Sequence, residues 1–223
     1  MQALLSPAER RVLQKLKTPQ LIQDYLEALP QHFVSDGDRM LSPRGVLAHN
    51  TAHCMEGAVF AAAALAYHGQ PPFLMDFQTP EYDEDHVVAV FSVKDGSASG
   101  GKLWGALSKT NHPVLRWRDP IYKSIRELAM SYAHEYFMWN KKDGELLGKK
   151  TLRAYSKPFD LSRYAPEQWL VPDGISWLAD PLDASPHSPV APALALKNLR
   201  RATKVETDAM QLEEWSRGGK RLK

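Results

Sequence analysis

The pattern of apolar and polar residues predicts helices in the first third of the chain. A serine or threonine followed by proline is typical of a helix start, because the hydroxyl caps the helix and proline fits its first turn. The segment that begins at Cys54 is apolar on nearly every side, which indicates a helix buried in the core. The predicted elements are a helix over residues 6–17, a helix over about 19–29, a loop over 31–49 with turns at Asp36-Gly37-Asp38 and Ser42-Pro43, and a helix from about Cys54 to His68-Gly69.

Apolar, strand-like runs follow this helix. Residues 86–93 and 102–108 are joined by a glycine- and serine-rich turn over 94–101, so we expect them to form a β-hairpin. Farther along, Asp119-Pro120 predicts the start of a long helix that reaches about Trp139. The remaining predicted elements are a strand over residues 73–77, a strand over 149–156 and irregular structure after Leu161.

The composition changes toward the end of the chain. Residues 181–192 are rich in proline, which is typical of a linker, and the residues after them are basic and compatible with a helix. Helices followed by an antiparallel hairpin favour an α+β fold. The predicted parts are N-terminal helices over residues 1–39 that pack on the core, a core over 40–180, a linker over 181–192 and a basic helical tail over 193–223.

The overall composition is that of a globular protein. Apolar residues make up 43% of the chain and charged residues 24%, and the formal net charge of +2 provides no general attraction to nucleic acid or membrane. A single cysteine excludes an intramolecular disulfide, which is typical of a reducing compartment. No run reaches the ~20 apolar residues of a membrane span, and the N-terminal residues lack the apolar core of a signal peptide. We therefore expect a cytoplasmic protein with no membrane association.

The single cysteine, Cys54, lies where the buried helix is predicted to begin. Asn50 or Thr51 would cap this helix, and the N-terminal end of a helix stabilises a thiolate. A cysteine nucleophile also needs a base within hydrogen-bond distance. His86 opens the first strand of the predicted hairpin and is the candidate for that base.

The base in turn needs a partner that orients its second nitrogen. Counting back from the centre of the hairpin turn places residues 108–110 opposite His86, because strands of a hairpin pair residue by residue. Ser108 lies at that position and Asn111 lies just beyond it. Either of these two residues is therefore a candidate for the third member of the catalytic group.

These residues and their order resemble the transglutaminase-like core of the papain-like cysteine enzymes. The resemblance covers roughly residues 40–115, with Cys54 opening a helix, His86 opening a strand and Trp104 in the second hairpin strand. In that family an aspartate typically follows the tryptophan by four residues, whereas this chain has Ser108. The resemblance implies a papain-like α+β core in which Cys54 is the nucleophile, His86 is first base and then acid, and Ser108 or Asn111 orients the imidazole.

The activity that the resemblance implies is that of a hydrolase or acyltransferase. It would act on a peptide or another amide-containing substrate through a cysteine thioester, in a bacterial transglutaminase-like subfamily, and without a cofactor. Serine carries no negative charge that could stabilise an imidazolium. The same resemblance therefore leaves open a catalytically inactive binding module for a protein or an anionic ligand.

Further residues are candidates for holding the substrate. The oxyanion formed during thioester formation needs two hydrogen-bond donors, and the backbone N–H of Cys54 is a candidate for one of them because it lies at a helix N-terminus. The candidates for the second donor are Asn50, His53 and Trp104. Arg116 and Arg118 lie in a basic segment interleaved with aromatic residues, and arginine matches carboxylates and phosphates well. They line either an anionic-substrate site or a solvated surface.

Other motifs in the chain predict no metal and no cofactor. Residues 96–102 match the first seven places of a phosphate-binding loop, but Leu103 follows where a hydroxyl would bind magnesium, so they are assigned to the hairpin turn. The acidic residues of 81–85 are assigned to a solvated loop, and His134-Glu135 lacks the second histidine three residues on that a helical zinc motif would have. The basic tail leaves nucleic-acid binding as a secondary alternative, which would weaken steeply with salt.

Overall fold

The computed structural model describes residues 1–33, 39–98 and 100–222. The turn predicted at Asp36-Gly37-Asp38 lies outside the described residues, as does Ser99 in the turn of the hairpin. The α-helices are α1 (Pro7–Lys15), α2 (Pro19–Ala28), α3 (Pro43–His49), α4 (Cys54–Tyr67), α5 (Ile125–Tyr132), α6 (Pro166–Trp169), α7 (Ala179–Asp183), α8 (Ala193–Lys197) and α9 (Lys204–Ala209). The strands are β1 (Phe73–Gln78), β2 (His86–Lys94), β3 (Lys102–Leu107), β4 (Arg118–Tyr122), β5 (Ala154–Ser156), β6 (Phe159–Asp160) and β7 (His187–Pro189).

The strands of the described residues form one seven-stranded sheet. Its order is β4-β3-β2-β1-β5-β7, and β6 also pairs with β1. Every pairing is antiparallel. The predicted hairpin is formed by β2 and β3, with a register that runs from Ala89 opposite Leu107 to Lys94 opposite Lys102. The fold therefore combines helices with an antiparallel sheet, and the prediction of an α+β fold is confirmed at that level.

Helix α4 lies at the centre of the larger core. Residues 58–64 have no exposed surface, and the five alanines among them let the helix pack closely on the sheet. Val87 and Phe91 of β2 belong to this core. The side chains of Val88 and Val90 face the opposite side of the sheet and belong to a second core with residues of α5. Helices α4 and α5 therefore cover opposite faces of the sheet.

Gly57 allows α4 to approach the chain that follows β3. A Cβ on residue 57 would lie 2.6 Å from Lys109 Cβ and 3.6 Å from Leu26 Cδ2. Gly57→Ala is therefore expected to lower the free energy of unfolding by about 1–3 kcal/mol, although alanine in a helix interior is normally better than glycine by up to about 1 kcal/mol. Urea unfolding measures the change, with Gly144→Ala as the control because its Cβ would meet nothing within 4 Å. A Gly57→Ala protein more stable than the parent would contradict this contact.

The structure corrects the predicted loop over residues 31–49. Ser42-Pro43 starts helix α3 instead of a turn, and Ser42 Oγ accepts the Gly45 N–H at 3.2 Å. The predicted helices that begin after Ser6 and Thr18 are confirmed, and both have the same kind of cap. Helix α3 is only seven residues long, so its apolar pattern is too short to reveal a helical period.

The long helix predicted from Asp119-Pro120 to Trp139 is wrong. Residues 118–122 form strand β4, which pairs with β3. Pro120 is tolerated there because β4 is the edge strand of the sheet. Helix α5 begins only after Ser124, whose Oγ accepts a backbone N–H of the first turn at 3.1 Å. The pairing with β3 outweighs the helical spacing of apolar residues in this segment.

The segment predicted as a linker, residues 181–192, contains a strand. His187–Pro189 is β7, which pairs with β5 at the other edge of the sheet. Strand β5 itself covers only the last three residues of the strand predicted over 149–156. The backbone pairing at the sheet edge decides the structure here, since an edge strand accepts proline. Among the described residues, no helix has both the length and the apolar character that crossing a membrane requires.

Candidate active site

Helix α4 begins at Cys54, but a residue other than the predicted ones caps it. His53 Nδ1 accepts the Met55 N–H at 3.1 Å, and the Glu56 carboxylate accepts the His53 N–H at 2.9 Å. This is a capping box in which histidine replaces the usual serine or threonine. Cys54 is the first residue of the helix and is half-buried. It therefore lies where backbone N–H groups have no acceptor within the helix.

Asn50 and Thr51, the predicted caps, lie before the helix. Asn50 has a φ of 52° and ends helix α3, which the left-handed tolerance of asparagine allows. The Thr51 hydroxyl donates to the Pro30 carbonyl at 3.0 Å. The backbone then forms a bridge between Ala52 and Gln31 before α4 starts. This bridge displaces the cap by two residues and leaves Asn50 exposed at the surface.

Glu56 is a buried carboxylate that organises the start of α4. It has no exposed surface, and it accepts the Leu41 N–H at 2.7 Å and the His53 N–H at 2.9 Å. His32 Nδ1 lies 2.9 Å from both of its oxygens. The rings of His32 and His53 stack with their centroids 6.0 Å apart. One carboxylate thus joins three segments of chain around Cys54.

The Cys54 thiol lies against the start of β2. Burial raises its pKa to about 11, and the charges of two nearby glutamates act in the same direction. Hydrogen bonds from the backbone of Val87 and Met55 act in the opposite direction. The contact with Val87 places the thiol beside the residue that follows His86. Because the pKa is so high, the thiol is protonated at neutral pH.

His86 is the first residue of β2 and is 6% exposed. Its Nε2 lies 2.8 Å from Ser108 Oγ, and this hydroxyl donates to the Leu115 carbonyl at 2.5 Å. Because the hydroxyl proton is used on Leu115, the serine oxygen accepts the Nε2–H, and the neutral ring has its lone pair on Nδ1. Burial, together with the charges of His53 and Arg118, lowers the pKa of His86 to about 4, against the effect of a hydrogen bond to the Leu115 backbone. The imidazole is therefore neutral at pH 7.

A glutamine of α2 holds Ser108 in place. Gln23 Oε1 accepts the Ser108 N–H at 3.0 Å, and Gln23 Nε2 donates to the Ser108 carbonyl at 2.9 Å. The Gln23 side chain is buried. Its amide takes the place of a paired strand just after the end of β3. Sequence alone does not reveal this role, because α2 carries several polar residues and nothing local shows which of them is buried.

Arg118 supports the loop that carries the Leu115 carbonyl. Leu115 has a φ of 59°, a left-handed conformation that leucine rarely adopts, and its N–H donates to Glu135 at 2.7 Å. Arg118 pairs with the same Glu135 at 2.6 Å and lies 4.0 Å from the centroid of the Tyr132 ring. These contacts direct the Leu115 carbonyl at Ser108. Arg118 therefore does not line an anionic-substrate site.

The C-terminal segment engages Asn111 and Arg116. The Asn111 side chain donates to the Trp215 carbonyl at 2.9 Å and accepts the Trp215 N–H at 2.7 Å. Its backbone carbonyl accepts the Glu214 N–H at 2.9 Å. Arg116 pairs with the Glu214 carboxylate at 3.0 Å. Among the described residues, neither side chain hydrogen-bonds to His86, so the serine is the residue that the structure places on the imidazole.

Trp104 lies far from the thiol. It pairs with Ser92, which is six residues along β2 from His86, a separation of about 20 Å at the usual rise of a strand. Its ring packs near that of Phe73, with the centroids 6.5 Å apart. Trp104 is therefore a packing residue, and of the predicted oxyanion donors only the Cys54 N–H and His53 lie at the start of α4.

Among the described residues, one group of side chains has the spacing of a cation site. The carboxylate oxygens of Asp76, Asp85 and Asp183 lie within 4.8 Å of one another. Asp76 is 1% exposed, and its Oδ2 lies 3.0 Å from His187 Nε2. Burial raises the pKa of Asp76 to about 6, and the charges of Asp85 and Asp183 add to the effect, against the hydrogen bond from His187. Asp85 is exposed in the loop predicted over residues 81–85, and only folding brings it close to Asp76 and Asp183.

The thiol of Cys54, the imidazole of His86 and the hydroxyl of Ser108 are thus grouped where α4 meets the end of the β2–β3 hairpin. Acyl transfer through a thioester requires a thiol within reach of an oriented imidazole, and here the thiol contacts the backbone of the residue that follows the histidine. No protein-family model matches this chain, and no curated protein matches it at a significant level. The chemistry of the site is therefore inferred from these contacts.

Proposed function

We propose that this protein is a transglutaminase-like cysteine enzyme with a papain-like core, which hydrolyses or transfers the acyl group of a peptide or another amide. The observation that carries the proposal is the position of the Cys54 thiol. It contacts the backbone of Val87, directly after His86, and the His86 imidazole is held by Ser108 at 2.8 Å. The candidate nucleophile, base and orienting group thus lie in the spatial order that thiol catalysis requires.

The reaction has two halves. Cys54 Sγ attacks the carbonyl carbon while its proton passes to Nδ1 of His86, and the Cys54 N–H stabilises the oxyanion. The tetrahedral intermediate then loses the amine, which takes the proton from His86 and leaves a thioester. Water or a second amine attacks the thioester with His86 as the base, and the proton returns to the departing sulfur.

The resting site contains a neutral thiol and a neutral imidazole. The pKa of Cys54 is about 11 and that of His86 about 4, so the proton stays on sulfur at pH 7. Among the described residues no hydrogen bond links these two side chains, so the thiol turns toward the imidazole before the proton moves. Ser108 orients the ring without the negative charge that an aspartate would supply. Attack and proton transfer are therefore expected to be concerted.

Acylation of Cys54 by p-nitrophenyl acetate tests the proposal, with nitrophenol release and the mass of the acyl-enzyme as readouts. Between about pH 5 and 8 we expect a nearly constant rate, since this window lies above the pKa of His86 and below that of the thiol. His86→Ala is expected to react about 100-fold more slowly at pH 6. Its rate should rise about ten-fold per pH unit, because only the thiolate would then react.

Two controls complete this experiment. Cys54→Ser gives the background rate, and His49→Ala removes an exposed histidine outside the site and should leave the profile unchanged. A parent protein whose rate already rises about ten-fold per pH unit, as for an unassisted thiolate, and does not respond to His86→Ala would contradict the proposal.

A second candidate function is a binding module that keeps the fold without the chemistry. The observation that favours it is the absence, among the described residues, of a carboxylate hydrogen-bonded to His86, whose partners are Ser108 and the Leu115 backbone. An acylation rate that has the same pH dependence in the parent protein and in His86→Ala would favour this alternative. The ligand would then be sought on a surface other than Arg116 and Arg118, because both side chains are already paired.

A further inference from the structure

A cavity of about 410 Å³ lies on the α5 face of the sheet, opposite the face that α4 covers. Its volume falls within the roughly 300–1,000 Å³ of small-molecule sites. Helix α5, the chain on either side of the β5–β7 pair and helix α8 enclose it. The apolar part of its wall includes Met130, Leu152, Val190 and Leu196. Leu152 and Val190 are almost fully buried, so they form its floor.

The charged part of the wall is mostly positive. The charged or titratable residues that border the cavity are Lys150, Arg200, Arg201, His134 and Glu206. All of them except Lys150 are exposed, which places them at the opening. Arg201 already donates to the carbonyls of Glu145 and Leu147, at 2.8 and 3.0 Å. Among the described residues Arg200 makes no hydrogen bond and no ion pair. Hydrogen bonds from Thr203 and the charges of Lys150 and Arg200 lower the pKa of the Glu206 carboxylate, which therefore lies near both cations.

Lys150 is the charged residue that reaches farthest into the wall, with only 9% of its side chain exposed. Its Nζ donates to the His134 carbonyl at 2.5 Å and lies 4.7 Å from the centroid of the Phe137 ring. The nearest carboxylate, that of Glu206, is 3.8 Å away. An ammonium group has three donors, and a nearly buried one is stabilised by a close anion. Glu206 provides that anion for Lys150, and with Arg200 and Arg201 at the opening the wall keeps a net positive charge beside an apolar floor.

We propose that this cavity binds a small amphipathic carboxylate, with its apolar chain on Leu152 and Val190 and its carboxylate group between Lys150 and Arg200. Burial of the chain provides affinity, and the two cations select a negative head group. A cationic ligand of the same length would be repelled, and a neutral one would form no ion pair with Lys150. Since the cavity and α4 lie on opposite faces of the sheet, the inference does not rest on the function proposed for Cys54.

Isothermal titration of the full chain with octanoate tests this site. Octan-1-ol and octylammonium have the same chain with a neutral and a positive head group, and we expect each to bind at least about ten-fold more weakly than octanoate. Arg200→Glu reverses an exposed charge and is expected to weaken octanoate binding at least about ten-fold. Lys102→Glu reverses another exposed charge, on β3 and outside the cavity, and should leave the affinity unchanged.

Lys150→Met separates the charge from the packing of the side chain, since methionine keeps most of the apolar stem. The unfolding midpoint is measured first, to establish that the variant is as stable as the parent. A variant that meets this condition should lose octanoate binding to a similar extent as Arg200→Glu. Absence of octanoate binding would overturn the proposal. So would an affinity that is equal for octanoate and octanol, or one that Arg200→Glu leaves unchanged.

Discussion

Replacing Glu56 with leucine is expected to lower the free energy of unfolding by about 3–5 kcal/mol, because it removes the buried acceptor of several hydrogen bonds and leaves their donors unpaired. The N–H groups of Leu41 and His53 would lose their acceptor, and so would the imidazole of His32. Leucine and glutamate have similar volumes, so a cavity would not account for the loss. Urea unfolding followed by tryptophan fluorescence measures it.

Glu56→Gln is the matched control for this prediction. Its amide oxygen can still accept one of the two backbone N–H groups, so we expect a smaller loss of about 1–2 kcal/mol. Because His53 caps α4 directly before Cys54, the leucine variant should also slow acylation of the thiol under conditions in which the protein is folded. A leucine variant within about 1 kcal/mol of the parent would show that this carboxylate does not organise the site.

The stability of the protein is expected to fall between about pH 4 and 7 through one carboxyl group, that of Asp76. Its pKa is about 6 in the folded protein, against an ordinary value of 3.8 in the unfolded chain. The folded state therefore binds this proton more tightly than the unfolded state. The resulting stabilisation is fully present below the unfolded value and is lost as the pH rises through the folded value. A shift of about two units corresponds to about 3 kcal/mol.

Asp76→Asn should remove this pH dependence. Asparagine keeps the shape of the side chain and can donate to His187 Nε2, while His187 Nδ1 keeps its contact with the Ser185 carbonyl at 2.7 Å. The unfolding free energy of the variant minus that of the parent, measured from about pH 4 to 8, should grow by about 3 kcal/mol. Taking this difference cancels the titration of other groups. A difference that stays constant with pH would contradict the assignment.

Local patterns were sufficient to predict much of the fold. The hairpin could be predicted because β2 and β3 are apolar runs joined by a turn rich in glycine. Helices α1 and α2 could be predicted because a serine or threonine stands directly before a proline at the start of each. The same kind of start at Ser42-Pro43 was interpreted as a turn, since α3 is too short to show a period. Strands β4 and β7 were missed because pairing with β3 and β5 creates them, and the sequence does not show that pairing.

The candidate site shows the same division between local and tertiary information. The prediction of Cys54 at the start of α4 and of His86 at the start of β2 follows from local pattern, and hairpin counting led to Ser108. The cap was assigned to the wrong residues because a backbone bridge precedes α4. Gln23 and Glu56 were not recognised, because their partners lie in distant segments of chain and are brought to them only by folding.

The contacts between Asn111 and the residues near Trp215 are also among the last that can form during synthesis. The loop that presents the Leu115 carbonyl to Ser108 is held from the C-terminal segment, about a hundred residues later in the chain. Domains are made from the N-terminus onward, and a contact forms only when both partners have left the ribosome. The β2–β3 hairpin and α4 can therefore assemble early, while the contacts that tie Asn111 to the C-terminal segment form only near the end of translation. The nascent chain would lack this outer support of the site for most of its synthesis.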